Sequence, residues 1–333
     1  MIVTGFMGSP RKAGNTAFLL NSFLKEAEIA GAETRQIHVP DLNIHPCTGC
    51  GICEKKGVCH FDDDMQQLVF PLLRKSDLVV IAAPIYFYNA PAELKALIDR
   101  SQALWARKFK LRLNDPCESS RKGFLLSVGA TRGKDLFEGI HLTMKYFFRG
   151  ISANFSGQLT YNRTEDPGEI KKHPTVESDI RKTVQTLIPL SEKTKPSLIF
   201  VCRSNSLTSQ MAAAFAQKLA GDRLRILSAG TRPAETVHPD LVVLMAEKGI
   251  DVAFRKPQGI ASAMSLCSSP SHVVILGQGE DTAIHVHGAK TITWNMVDPL
   301  CDSSQGSPLL RDQIEGKVKD LLAQVLPGNK SMS

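Results

Sequence analysis

Four of the eight cysteines fall between positions 47 and 59, in Cys47-Thr48-Gly49-Cys50-Gly51-Ile52-Cys53 followed by Cys59. The spacing is C-x2-C-x2-C-x5-C. Thiolates two residues apart in a glycine-containing loop can converge on one point, and a cysteine triplet at this spacing is how cubane iron–sulfur clusters are wrapped. Zinc sites more often use two separated C-x2-C pairs that close a tetrahedron from two arms. Disulfides need an oxidising compartment, and nothing in the sequence marks one. The spacing favours an iron–sulfur centre on Cys47, Cys50, Cys53 and Cys59, with zinc and metal-free thiols as the alternatives.

Two other stretches carry chemistry. Gly8-Ser9-Pro10-Arg11-Lys12-Ala13-Gly14-Asn15-Thr16 joins an apolar run to a helical pattern with Phe18, Leu19, Phe23, Leu24 and Ala27 at helical spacing. A strand, a loop rich in Gly, Ser and Thr, and a helix N-terminus form an anion site: backbone N–H groups converge and the helix dipole favours negative charge. Asn15 or Thr16 is expected to cap the helix. The spacing matches neither a Walker loop nor G-x-G-x-x-G. The second stretch is Cys202-Arg203-Ser204-Asn205-Ser206-Leu207-Thr208-Ser209, again between a strand and a helix. A cysteine there faces a helix N-terminus, which favours the nucleophilic thiolate.

The elements that position these residues alternate between strand and helix. Strands are expected at 34–39, 77–83, 123–129 and 154–161, with helices at 63–75, from 92, at 136–150 and at 178–190. The run at 77–83, Asp-Leu-Val-Val-Ile-Ala-Ala, reads as a parallel strand buried on both faces. It ends in Pro84-Ile85-Tyr86-Phe87-Tyr88, where an open α/β sheet binds ligands and a flat ring can stack. Residues 191–196 are polar and proline-stopped and read as a linker. Beyond them the pattern restarts with a strand at 197–202 and a helix from about 210. The fold class is therefore α/β, two doubly wound parallel-sheet domains at 1–190 and 197–333.

A length of 333 residues suits two domains. The net charge of +7 is spread without a dense Lys/Arg tract, and aromatics are 6%, so nucleic-acid binding lacks support. No run of eighteen apolar residues is present, so no transmembrane helix is expected. The N-terminus reads as a strand, not a signal peptide, and a cytoplasmic protein is expected.

Ser9-Pro10-Arg11, Gly14-Asn15-Thr16, the aromatic loop after Pro84 and the Gly129 loop together resemble the flavodoxin-like NAD(P)H-dependent FMN reductases. The cysteine motif narrows the resemblance to their iron–sulfur flavoprotein branch. It covers about residues 1–190 and implies FMN. Its phosphate would lie on Ser9, Arg11, Asn15 and Thr16, and its ring against Pro84, Ile85, Tyr86, Phe87, Gly129, Ala130 and Thr131. It also implies a 4Fe-4S cluster near the flavin, NAD(P)H or a reduced carrier as electron donor, a small-molecule or redox-protein acceptor, and a homo-oligomer in which a neighbouring subunit completes the site.

The second half, about residues 197–326, resembles low-molecular-weight protein tyrosine phosphatases and thioredoxin-coupled arsenate reductases. Ser228-Ala229-Gly230, His238-Pro239 and Trp294-x3-Asp298-Pro299 add to the Cys202 loop. The resemblance implies Cys202 as nucleophile, Asp298 as general acid and Ser209 as support for the thiolate. The family loop is C-x5-R-[ST], but Thr208 stands where the arginine belongs. That arginine clamps the oxyanion, and losing even one such donor costs roughly 3–4 kcal/mol of barrier. A degenerate domain with an oxyanion-binding or redox role is expected, with Cys301 as a candidate disulfide partner for Cys202. A redox flavoenzyme leads; an oxyanion or redox sensor, or a reductase whose flavin half serves Cys202, are the alternatives.

Overall fold

The computed structural model describes residues 1–189, 195–267, 269–277, 286, 288–296 and 308–326. The chain divides into two compact units, Met1–Arg112 with Ser120–Thr194, and Leu113–Ser119 with Lys195–Ser333.

The first unit is built on β1 (Ile2–Met7), β2 (Glu33–His38), β3 (Leu78–Pro84), β4 (Lys122–Val128) and β5 (Asn154–Tyr161). All pair in parallel in the order β2-β1-β3-β4-β5. This is the flavodoxin-type order, in which the reversal of strand order between β1 and β3 opens a ligand crevice at the carboxyl ends of the strands. The six residues of β1 and the first six of β3 are all buried, because a parallel sheet is covered on both faces. Helix α1 (Asn15–Ile29) lays Leu19, Leu20, Phe23, Leu24 and Ala27 on the sheet, with Phe23 stacked on Phe124 at 5.7 Å. A Cβ at Gly5 would come within 2.6 Å of Leu20 Cδ1, so glycine there lets α1 approach β1.

Short helix α2 (Ile52–Lys56) lies in the cysteine loop. The helix expected over 63–75 forms as a π-helical turn at Met65–Val69 and then α3 (Phe70–Lys75). Helices α4 (Ala92–Arg100), α5 (Gln102–Phe109), α6 (Glu138–Gly150) and α7 (Val176–Leu187) complete the unit. The strand boundaries agree with the sequence reading to within a residue or two, and β5 matches it.

The second unit holds β6 (Ser197–Cys202), β7 (Arg225–Gly230), β8 (His272–Leu276) and β9 (Lys290–Trp294), parallel in the order β7-β6-β8-β9. Helices α8 (Thr208–Ala220), α9 (Pro239–Ala246), α10 (Ile260–Leu266) and α11 (Pro308–Val325) pack around it. Its core joins Phe200, Met211, Phe215, Trp294, Ile314 and Val318. Residues 113–119 belong here: the Asn114 amide donates to the Gly249 carbonyl at 2.9 Å, and the Asp251 amide donates to the Asn114 carbonyl at 2.8 Å. The sequence boundary at 191–196 carried no sign of this second crossing, which is held by a two-residue backbone exchange. No helix among the described residues is long and apolar enough to cross a membrane.

Candidate functional site

The β1/β3 switch point brings three loops together. After β1, Gly8 N–H donates to Ala82 O at 2.7 Å, joining the loop to β3. Ser9 Oγ accepts from the Arg11 amide at 3.1 Å, a local turn bond, while Ser9 and Thr16 are buried and Arg11 is exposed. Gly14, not Asn15 or Thr16, is the N-cap of α1, and it offers no side chain to cap with. The first turn of α1 holds no acidic residue. Uncapped N–H groups at a positive helix end are what an anion requires.

Asn15 is turned to another task. Its Nδ2 donates to Asp166 O at 2.8 Å, and its Oδ1 accepts from the amides of Gly168 at 2.9 Å and Ile170 at 3.3 Å. The side chain latches the 166–170 loop onto the start of α1, so its backbone amide is what it can offer an anion.

After β3, Tyr86 and Asn89 exchange backbone bonds at 2.9 and 3.0 Å, closing a two-residue turn. Phe87 and Tyr88 occupy its centre with φ of +46° and +61°. Bulky residues in this region cost of order 1–3 kcal/mol each and persist where the surroundings or the function require them. Phe87 is fully exposed, Tyr86 and Tyr88 about half. After β4, the Gly129 amide donates to Tyr161 O and the Gly129 carbonyl accepts from the Thr164 amide, with Ala130 and Thr131 exposed beyond it. Pro84, Ile85, Gly129, Ala130 and Thr131 thus lie on neighbouring strand ends, since Ile85 N–H donates to Val128 O at 2.9 Å. An anion end and an exposed apolar rim fit a phosphorylated planar cofactor.

The cysteine loop turns on Gly49, Gly51 and Gly57, with φ of +67°, +71° and +69°. Cys47 and Cys50 are exposed, Cys53 and Cys59 half-buried. Burial pushes the Cys53 thiol up, and the charges of Cys59, Cys47 and Cys50 push it further. Cys50 Sγ lies 3.4 Å from His60 Nδ1. Among the described residues no set of three or more Cys, His, Asp or Glu is gathered closely enough to hold a single metal ion. A cluster several atoms across takes thiolates that stand further apart than those around one ion, and the donor set it needs, four cysteine thiols, is carried on this one glycine-hinged loop.

The sequence reading missed the support beneath this loop. Arg100 grips Asp63 in a buried, two-pronged ion pair at 2.6 and 3.0 Å. Burial alone would raise the Asp63 carboxyl, but the hydrogen bonds from Arg100 hold it below the ordinary range. The available signal was Arg100 falling three residues after Leu97 and six after Leu94, on the buried face of α4.

In the second unit, Cys202 ends β6 and is buried. Its Sγ lies 3.0 Å from Ser209 Oγ and accepts from the Asn205 amide at 3.2 Å. Asn205, at φ +52°, braces the loop: its Nδ2 donates to Ser209 Oγ at 2.9 Å, and its Oδ1 accepts from Gln258 N at 2.9 Å and Gln210 Nε2 at 3.2 Å. Thr208 is buried at the first turn of α8, which has no side-chain cap and no acid. Asp298 and Cys301 lie outside the described residues.

Residues 1–133 match the family of NADPH-dependent FMN reductases. The chain is 34% identical over 172 residues to an iron–sulfur flavoprotein of Methanosarcina thermophila, an alignment covering 50% of this chain and 85% of that one. The chain belongs to the iron–sulfur flavoprotein family. An iron–sulfur flavoprotein of Archaeoglobus fulgidus is 44% identical over 100 residues, 30% of this chain and 45% of that one. The family membership concerns the first half. Residues 197–330 match low molecular weight phosphotyrosine protein phosphatase. An arsenate reductase structure from Archaeoglobus fulgidus is 23% identical to the chain, with a TM-score of 0.34, covering 38% of this chain and 98% of that one. The chain is thus a flavin oxidoreductase domain joined to a phosphatase-like domain.

Proposed function

We propose that this chain is an FMN-dependent oxidoreductase that takes electrons from NAD(P)H or a reduced carrier and holds a 4Fe-4S cluster on Cys47, Cys50, Cys53 and Cys59. The observation that carries the reading is the meeting, at one switch point, of an uncapped, acid-free helix N-terminus and a strained aromatic turn. FMN, when bound, supplies two-electron acceptance with release one at a time, which suits a one-electron cluster. The amides at the start of α1, with Ser9, Arg11 and Thr16, hold the phosphate. Pro84, Ile85, Tyr86, Phe87 and the Gly129–Thr131 loop bear the ring. The exposed Tyr86, Phe87 and Tyr88 suit a second copy of the chain closing over it. Anaerobic purification followed by an absorbance spectrum and flavin, iron and sulfide counts tests this. A yellow-brown protein whose flavin bleaches with NAD(P)H is expected; a colourless one without flavin or iron overturns it.

For the second unit the proposed role is oxyanion binding or thiol redox chemistry, without phosphatase turnover. The observation favouring it is Thr208 at the family's arginine position beside an intact Cys202–Ser209–Asn205 network. Phosphate or arsenate binding without hydrolysis of an aryl phosphate is the expected result, and hydrolysis at ordinary enzyme rates contradicts it. A Cys202→Ser variant that lowers acceptor turnover while leaving flavin reduction unchanged would instead support coupling between the halves.

A further inference from the structure

We infer that Arg100 and Asp63 are a positioning pair for the cysteine centre: together they tie the two ends of the cysteine loop, and Arg100 holds a fixed positive charge at its base. This rests on the four cysteines being cluster ligands, as proposed above.

The tie is visible in the bonds. Asp63 Oδ2 accepts from the His45 amide at 3.1 Å, and Oδ1 accepts from the Met65 amide at 3.1 Å. Arg100 Nη1 donates to His45 O at 2.7 Å and to Asp63 Oδ2 at 2.6 Å. Residues 45 and 63 bracket all four cysteines, so one ion pair closes the base of the loop. The packing follows suit: the guanidinium lies 4.8 Å from the Phe61 ring centre, and the His45 ring stacks on Phe61 at 5.1 Å. Arg100 comes from α4, which begins just after the aromatic turn at the flavin rim. The pair therefore registers the cysteine loop against the helix that starts at the flavin site.

The charge needs a separate explanation. Both side chains are 0% exposed, and a buried ion pair is often no better for stability than apolar residues of the same volume. Arg100 Nε has no hydrogen-bond acceptor among the described residues, so the pair is not built for complete mutual satisfaction. The guanidinium is fixed by His45 O, by Asp63 and over the ring of Phe61, two residues after Cys59, and from there its charge acts on Cys59. A cluster on four thiolates becomes one charge more negative when it gains an electron. Net charge and hydrogen bonds to its sulfurs set its potential, and groups behind the ligands orient and tune a metal centre. Arg100 thus favours the reduced form.

The test uses the full chain purified anaerobically, titrated with dithionite as one-electron donor and followed by electron paramagnetic resonance. No bond forms or breaks in this step. Arg100→Met is expected to lower the reduction equilibrium about tenfold, a fall of about 59 mV for one electron. Asp63→Asn, which removes the countercharge, is expected to shift it the opposite way, and Arg100→Lys to stay near wild type. A merely structural role would move Arg100→Met and Asp63→Asn in the same direction, and that result, or no shift in either, overturns the charge role. Hydrogen exchange on iron-free protein reads the tie separately: the His45 and Met65 amides are expected to exchange at least tenfold faster in Arg100→Met, and unchanged exchange overturns it. Wild-type protein without iron overturns the cluster reading and the charge role together, while exchange still decides the tie.

Discussion

Asn15 shows what a side chain's neighbours in sequence conceal. Read locally it is a donor for a phosphate, yet its amide is committed to residues 151 to 155 positions away. Asn15→Ala leaves the Gly168 and Ile170 amides without their acceptor, and leaving a buried group unpaired costs about 1–3 kcal/mol. Urea unfolding should show that loss, together with weaker flavin retention as the 166–170 loop is released. Phe87 poses the opposite case. Its aromatic character was legible, but its left-handed backbone was not, because the turn is fixed by the Tyr86–Asn89 pairing. Phe87→Gly should raise thermal stability by relieving strain of about 1 kcal/mol or more and lower flavin affinity by removing part of the rim. Unchanged affinity would remove Phe87 from the site.

At the level of elements, the central strands β1, β3 and β4 were readable because strands buried on both faces of a parallel sheet are short apolar runs, while the edge strands β2 and β5 are polar and half-exposed and were read from the alternation around them. The stretch 63–75 was readable only as helical. A π-helical turn at Met65–Val69 precedes α3, just after Asp63 is held by Arg100 and His45, and periodicity encodes neither the wider turn nor those contacts. Gly51 N-caps α2 at φ +71° and has open space around it, so Gly51→Ala should cost only the left-handed backbone, about 1–2 kcal/mol, without a clash. Reduced iron retention with an unchanged flavin count is the expected signature. In the second unit, Asp312 at the start of α11 pairs with Arg311 at 2.8 Å and Lys248 at 2.9 Å. Hydrogen bonds from Arg311 and then Lys248 hold its carboxyl down to about 2, against an ordinary 3.8. A depressed carboxyl contributes stability that is fully present above pH 3.8 and is lost as pH falls toward about 2. Asp312→Asn should therefore flatten the acid side of the second unit's stability profile in that window and leave the rest of the curve's shape unchanged.

For the whole molecule, the restart of strand–helix alternation after 191–196 was enough to read two α/β units, and the β2-β1-β3-β4-β5 order fits the chemistry expected of the first. Each unit has its own apolar core, so each should tolerate damage to the other's. Phe23→Ala, in the core of the first unit, should cost about 3–5 kcal/mol and lower the first unit's melting transition while the second unit's is unmoved. The short segment 113–119 has a consequence for anyone who cuts the chain. Cleavage between residues 190 and 196 breaks one covalent connection, but the larger N-terminal piece still carries the strip that hydrogen-bonds to Gly249 and Asp251. The nicked protein should run as one species on a native gel and part only in denaturant, and a gene fragment started at 195 should express a polypeptide missing a piece of its own body.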